Sequence, residues 1–213
     1  MNVYLFIFAP IFKSKFMARK VDEEKLARIK QATMKTIVDC GIEKTTIAMI
    51  AKNAKVSGGY LYRLYSGKQA LIDELYYEKV DSLNKELEFL IGLNEHSISS
   101  ILTAFVQNRI VYAKNEPIAS KFFYQMLHND NFILTDSIKK TSIGLMQTLK
   151  NIGVKSDEIA NNISLLQIQY HILMYVVDYL HFKRKNYLGI DETLNIDVEY
   201  IVNNILTILK KGN

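Results

Sequence analysis

The chain has 213 residues, 49% of them hydrophobic, with two prolines and nine glycines; this excludes general disorder and favours long helices over punctuated strands. The single cysteine, Cys40, excludes a disulfide framework and a cysteine-based zinc site, and suits a reducing cytosol. Net charge is +5, but Lys13 to Lys68 holds 13 Lys+Arg against 5 Asp+Glu while the remainder holds 14 against 17, which points to a polyanion partner for the first third, or to a plain solvated basic face.

Residues 1–16 differ in character from the rest of the chain. Val3–Phe12 is an apolar run interrupted by Pro10, too short to span a membrane. Its lysines come after the run, not before it as in a secretory signal. Met17 opens a conventional polar start, so 1–16 is expected to be a dispensable extension, or else an apolar arm packed on the body or a partner. Elsewhere no stretch reaches the roughly 18–20 apolar residues of a spanning helix, so no membrane partner is expected.

Asp22–Cys40 reads as the first helix, with Asp22, Glu23 and Glu24 where the helix dipole favours negative charge. Leu26, Ile29, Thr33 and Ile37 follow helical spacing. Gly41 falls where a left-handed cap residue is expected. In Thr45–Lys68, Ile47, Ile50 and Ala51 mark one short helix, and Val56, Leu61, Tyr62 and Tyr65 a second. Helices this short are marginal alone, so a compact helix-turn-helix unit is expected. Ser66 and Gln69 fit a capping box ahead of a long helix from Gly67 to about Leu93. A domain boundary is placed on that helix near Tyr76, giving a 17–75 unit and a 76–213 unit.

Further helices are expected over Ser97–Lys114, Glu116–His128, Asp130–Ile152, Asp157–Lys185 and Asn195–Lys211. Pro117 suits a first turn. Lys183, Arg184 and Lys185 suit a helix C-terminus. The fold class is therefore all-α, about nine helices, with no strand and no internal repeat.

Residues 28–75 resemble the DNA-binding domain of the tetracycline-repressor (TetR) family. The resemblance runs through Ala32, Ile37, Gly41, Thr45-Thr46-Ile47, Ile50-Ala51, Val56-Ser57, Gly59, Leu61-Tyr62, Tyr65, Lys68 and Ala70-Leu71. Three positions depart from the family pattern. Lys55 stands where a turn glycine is usual, Gly58 replaces a frequent lysine, and Tyr60 fills a position that is often small. A side chain with a Cβ strains a left-handed turn.

The resemblance implies a three-helix DNA-binding head and a helical ligand-binding and dimerisation domain. Ser57–Tyr65 would be the recognition helix in the major groove of double-stranded operator DNA. Ser57 fits its N-cap. Gly58 and Gly59 would let backbone N–H groups approach a phosphate, or, for Gly58, form a tight turn. Tyr60 and Arg63 are candidates for base edges. Tyr62 is a candidate phosphate ligand or a core tyrosine. Of Thr45 and Thr46, one would cap the second helix and the other reach a phosphate. Lys68 would meet phosphate at a helix start.

Two-fold operators need two heads, so a homodimer is expected. By family analogy it forms through the last two helices: Val198, Ile201, Val202, Ile205 and Leu209, with Ile163, Leu166, Tyr170, Leu173 and Val177. The same stripes would serve a monomer core. A central pocket for a partly apolar effector would draw on Phe105, Arg109, Tyr112, Phe123, Tyr124, Met126, His128, Met146, Gln167, His171 and Tyr175, each of which at helical spacing is also an ordinary core candidate.

The expectation is a cytoplasmic, ligand-responsive repressor with no cofactor and no metal. The alternative is a helical enzyme or adaptor. Against an enzyme, the sequence holds no glycine-rich phosphate loop, HExxH, nucleophile elbow or CxxC. His171 and Asp178, seven apart, form only one weak pair.

Overall fold

The computed structural model describes residues 9–187, 189 and 197–211. Residues 1–8 and the Asn195 cap lie outside the described residues. The described residues are helical, with no strand among them. They divide into two compact units, up to Ile72 and from Asp73.

In the first unit, α1 (Ala9–Cys40), α2 (Ile47–Ala54), α3 (Gly58–Leu64) and the first turn of α4 (Lys68–Leu93) surround one small core. Helix α1 begins well before the expected Asp22, with Pro10 in its first turn, where the missing N–H has no helical partner to lose. Ile29, Ile37, Ile50, Leu61, Leu71 and Ile72 are fully buried. The expected left-handed cap is present: Gly41 has φ +83°, and its N–H donates to the Ile37 carbonyl at 2.8 Å. Two side chains fasten α2 to α1. The Asn53 amide donates to the Thr36 hydroxyl at 2.9 Å, and Arg28 Nε donates to the Ala54 carbonyl at 3.4 Å. The second bond places a cation at the end of α2, where the helix dipole favours it.

In the second unit, α5 (Ile98–Asn115) is the central helix and α10 (Val198–Lys211) packs on it. Between them come α6 (Pro117–Leu127), α7 (Asp136–Lys155), α8 (Leu165–Gln169), a π-helical turn (Tyr170–Met174) and α9 (Tyr175–Lys185). The π turn closes with the Tyr175 N–H on the Tyr170 carbonyl, five residues back.

Two sequence expectations are corrected. Asp157–Lys185 is not one helix: the rod starts only at Leu165, because Ser164 and Gln167 form a reciprocal capping box that satisfies the helix start there. Residues 157–164 are instead a connection in which Asp157 has φ +59° and Glu158 caps α5. Nor does Gly153 end α7, which starts at Asp136 behind a Thr135 cap and runs through Gly153 to Lys155. A Cβ at Gly153 would stand 2.6 Å from Ile159 Cδ1, so this glycine permits close packing rather than a stop.

The expected dimer stripe is largely inside the chain. Ile201, Val202, Ile205, Leu209 and Ile163 are buried in the unit's own core. Amphipathic spacing alone cannot tell a core face from a partner face. Large apolar residues that stay outside on these helices are Leu166, Tyr170, Phe182, Tyr200 and Ile208, with Leu166 74% exposed.

Candidate nucleic-acid interface and ligand cavity

The head is assembled from caps. Thr46 is the N-cap of α2: its hydroxyl accepts the Met49 N–H at 3.2 Å. Thr45 is turned the other way. It is 1% exposed, and its hydroxyl donates to the Gly41 carbonyl at 2.7 Å. It therefore ties the α1–α2 turn and offers nothing to a phosphate, which corrects its expected role.

Lys55 holds the left-handed turn after α2, at φ 56° and ψ 46°, and its N–H closes on the Ala51 and Lys52 carbonyls. A lysine thus occupies a conformation that suits glycine, at a cost of about 1–2 kcal/mol. Ser57 follows as the N-cap of α3, accepting the Tyr60 N–H at 3.2 Å. Gly58 and Gly59 form the first turn of α3 without positive φ, and a Cβ at either would meet nothing within 4 Å. No tight turn demands them. The space above them is open to another molecule's backbone.

Buried Leu61 and Tyr65 fix one face of α3. The opposite face carries Tyr62, 63% exposed, and Arg63, so Tyr62 is not a core tyrosine. The Tyr60 ring meets two cations, with Arg63 Cζ at 5.0 Å and Lys25 Nζ at 5.4 Å from its centroid. Lys25, on α1, is a neighbour that the sequence did not single out. Lys68 Nζ donates to the Ile42 carbonyl at 2.7 Å. An ammonium has three N–H groups, so two remain for another acceptor.

The second unit holds spaces that share wall residues. A cavity of about 100 Å³ is walled by Tyr76, Leu83, Leu87, Phe105, Phe123 and Met146, with Ile172, Leu173 and Met174 of the π turn. It shares Leu134, Ser142, Met146 and Gln169 with an open groove of about 370 Å³ beside Ile143 and Leu166. It shares Phe123 with a third space of about 20 Å³, walled by Arg109, Tyr112, Ser120, Val177 and Leu180.

The polar residues cluster around that third space. Arg109 is 8% exposed and ion-paired through Nη2 to Glu86, while its Nε has no hydrogen-bond partner. Lys79 Nζ lies 3.4 Å from the Tyr112 ring centroid. Burial, then the Arg109 charge, pulls the Lys79 ammonium down to about 8, and burial pushes the Tyr112 hydroxyl up to about 12. Arg184 Nη2 donates to Ser120 Oγ at 2.9 Å, while its Nε and Nη1 are buried without partners. Lys79, Glu86, Ser120 and Arg184 were not among the expected pocket residues. Arg184 reads in sequence as one of three cations ending a helix, and only the fold shows it turned inward.

Of the expected pocket residues, Phe105, Phe123 and Met146 wall the main cavity, and Arg109, Tyr112 and Phe123 the small one. The others stand elsewhere. Met126 is buried core, Gln167 belongs to the α8 capping box, and Tyr175 accepts a hydrogen bond from Asn204 at 3.4 Å. His171 meets Tyr170 edge-on, and Asp178 pairs not with His171 but with His128, at 3.1 Å. Tyr124 stacks on His181 at 3.6 Å between centroids. Among the described residues no three His, Cys, Asp or Glu side chains could hold a metal ion, and no helix is long and apolar enough to cross a membrane.

Residues 29–75 match the family of bacterial regulatory proteins of the tetR type. This match lies in the N-terminal unit and runs three residues past it. The whole fold is similar to solved regulators. It aligns with a TetR-family transcription regulator from Marinobacter aquaeolei VT8 at TM-score 0.67 and 16% identity, over 89% of this chain and 97% of that one. FadR of Bacillus subtilis, solved with stearoyl-CoA, aligns at 0.65 and 19% identity, over 88% and 98%. SmeT, solved with triclosan, aligns at 0.65 and 14% identity, over 86% and 90%. The family match runs from the second half of α1 to the start of α4, and the similarity of fold extends through the helices that wall the cavity.

Proposed function

We propose that the chain is a ligand-responsive transcriptional regulator that binds a palindromic operator as a homodimer and is released by a small molecule. The observation that carries this reading is the capped, solvent-facing α3. Ser57 fixes its start, Leu61 fixes its buried side, and Tyr62 and Arg63 are left outward beside the open backbone of Gly58 and Gly59. A helix of this size enters the major groove, and its first N–H groups suit phosphate. Tyr60 and Arg63 then reach base edges, Thr46, Tyr62 and Lys68 hold the backbone, and the excess of basic residues in this third supplies the long-range attraction.

The exposed Leu166, Tyr170, Tyr200 and Ile208 are the surface on which a second copy would dock. The cavity around Phe105 and Phe123 would take the effector, as fits a fold whose solved relatives hold stearoyl-CoA and triclosan. An effector that prefers one arrangement of the two heads lowers DNA affinity by its differential affinity for that arrangement.

The test is DNA binding to the gene's own upstream region, followed by fluorescence anisotropy. Affinity should fall steeply with salt, because each phosphate contact releases counterions. Arg63→Ala should cost about 1–3 kcal/mol and relax specificity at one position. Flat salt dependence, or no binding to any palindromic site, overturns the reading. A helical enzyme or adaptor would give that result.

A further inference from the structure

The small space beside the main cavity has more positive than negative charge around it. Arg109 walls it directly, and Ser120, which also walls it, is held by Arg184. Lys79 lies against Tyr112, which also walls it. Glu86 is paired to Arg109 and occupied further by the Asn108 amide at 3.1 Å, and Glu116 is an exposed residue at the α5–α6 corner. Arg109 Nε is buried without an acceptor, and so are Nε and Nη1 of Arg184, whose Nη2 holds the Ser120 wall. A buried donor left unpaired is costly, and a buried cation more so, so sites of this kind take an anion.

Size and surroundings restrict which anion. A space of about 20 Å³ takes a small group, of the size of a carboxylate oxygen. Phe123 also walls the apolar main cavity of about 100 Å³, which in turn shares four residues with the groove along Leu134, Ile143 and Leu166. Such walls suit an alkyl chain.

We infer that the effector is a single-chain carboxylic acid, its carboxylate against Arg109 and Ser120 and its tail running past Phe123 toward the Leu134 groove. This rests on the regulator reading for its consequence but not for its binding. The carboxylate supplies the acceptor that Arg109 Nε lacks, and Lys79, over Tyr112, and Arg184, on Ser120, add attraction. The neutral alcohol of the same length keeps the tail and forfeits the charge.

Isothermal titration of the full chain with decanoate, decanol and decyl phosphate tests this. Decanoate should bind one per chain and at least about tenfold more tightly than decanol, as a charge-assisted hydrogen bond implies. Lys79→Met and Arg184→Met should each weaken decanoate several-fold and leave decanol unchanged, a readout that a merely collapsed cavity would not give. Arg109→Met strands Glu86, so Arg109→Met with Glu86→Gln is the paired variant, and it should bring decanoate down to the level of decanol. Equal affinities for decanoate and decanol, preference for decyl phosphate, or no binding of decanoate overturns the inference. If decanoate binds as described but leaves operator binding intact, the carboxylate site stands and the release mechanism falls. If a neutral molecule releases the operator and decanoate does not bind, the regulator reading stands and this one falls.

Discussion

Lys68 Nζ sits 2.7 Å from the carbonyl oxygen of Ile42, so the first residue of α4 is tied to the turn that joins α1 to α2. The side chain expected to meet phosphate is thereby held in place before any DNA arrives. Lys68→Met removes both the tie and the charge. It should destabilise the head by about 1 kcal/mol and weaken all DNA sequences alike. Thermal melting and anisotropy on two unrelated duplexes check this. A loss confined to one sequence refutes the backbone role.

Lys55 is the clearest local conflict between sequence and backbone. At φ 56° it occupies the left-handed region with a Cβ. Lys55→Gly relieves that strain but makes the unfolded chain freer, so a net gain of about 0.5–1 kcal/mol is expected. Differential scanning calorimetry should show a higher Tm. An unchanged or lower Tm means that the lysine side chain holds the turn in some other way.

Glu158 joins the 157–164 connection to the start of α5. Its carboxylate accepts the Ile98 N–H at 2.8 Å, the Ser99 N–H at 3.2 Å and the hydroxyls of Ser97 and Ser156. Burial raises its pKa, but these four hydrogen bonds outweigh it and hold the carboxyl below its ordinary 4.5. The stability it contributes is therefore present above pH 4.5 and lost as pH falls through the lower folded value. Glu158→Gln should cost about 1–2 kcal/mol at pH 7 and flatten the acid limb of the stability curve. Urea titrations at several acid pH values measure both.

Lys79 gives the opposite limb. Its folded value of about 8 lies under its ordinary 10.5. Between those values the unfolded chain binds the extra proton, so stability should rise with pH from about 8. Above pH 10 the rise should be cut off, because Tyr112 stays protonated to about 12 when folded while the unfolded phenol ionises from 10. Lys79→Met should abolish the rise and be the more stable protein at pH 7, by at most about 3 kcal/mol. A wild-type curve that is flat between pH 8 and 10 contradicts this.

The head is legible in the sequence because its signals are local. Ser57 before a short apolar run is a cap wherever it is met, and Gly41 past a helical stripe is a C-cap. Lys55 in a turn that asks for glycine is visible as a conflict, and the backbone keeps it. Choosing between Thr45 and Thr46 is not possible from the sequence. Both stand at the same helix start, and only the burial of one settles which caps. The cavity is less legible, because aromatic residues at helical spacing read the same as core. Phe105 and Met126 are both buried, yet only Phe105 faces the cavity. Arg184 reaches Ser120 from 64 residues away, a pairing that no window on the sequence contains. The Ser164–Gln167 box is as local a signal as Ser57, but the acidic run at Asp157 and Glu158 competes with it as a helix start, and that run serves another helix.

The π turn at Tyr170–Met174 has a geometric consequence for the rod that contains it. Ile168, Ile172, Val176 and Leu180 are all buried, each four residues after the last. In a straight α-helix a four-residue step overshoots a full turn by about 40°, so three such steps would carry Leu180 roughly a third of the way round from Ile168. The wider turn takes up part of that drift. A single extra residue in the winding thus keeps these four side chains nearer to one seam, so that the end of the rod carrying the Ser120-bound Arg184 stays in phase with the end that walls the cavity.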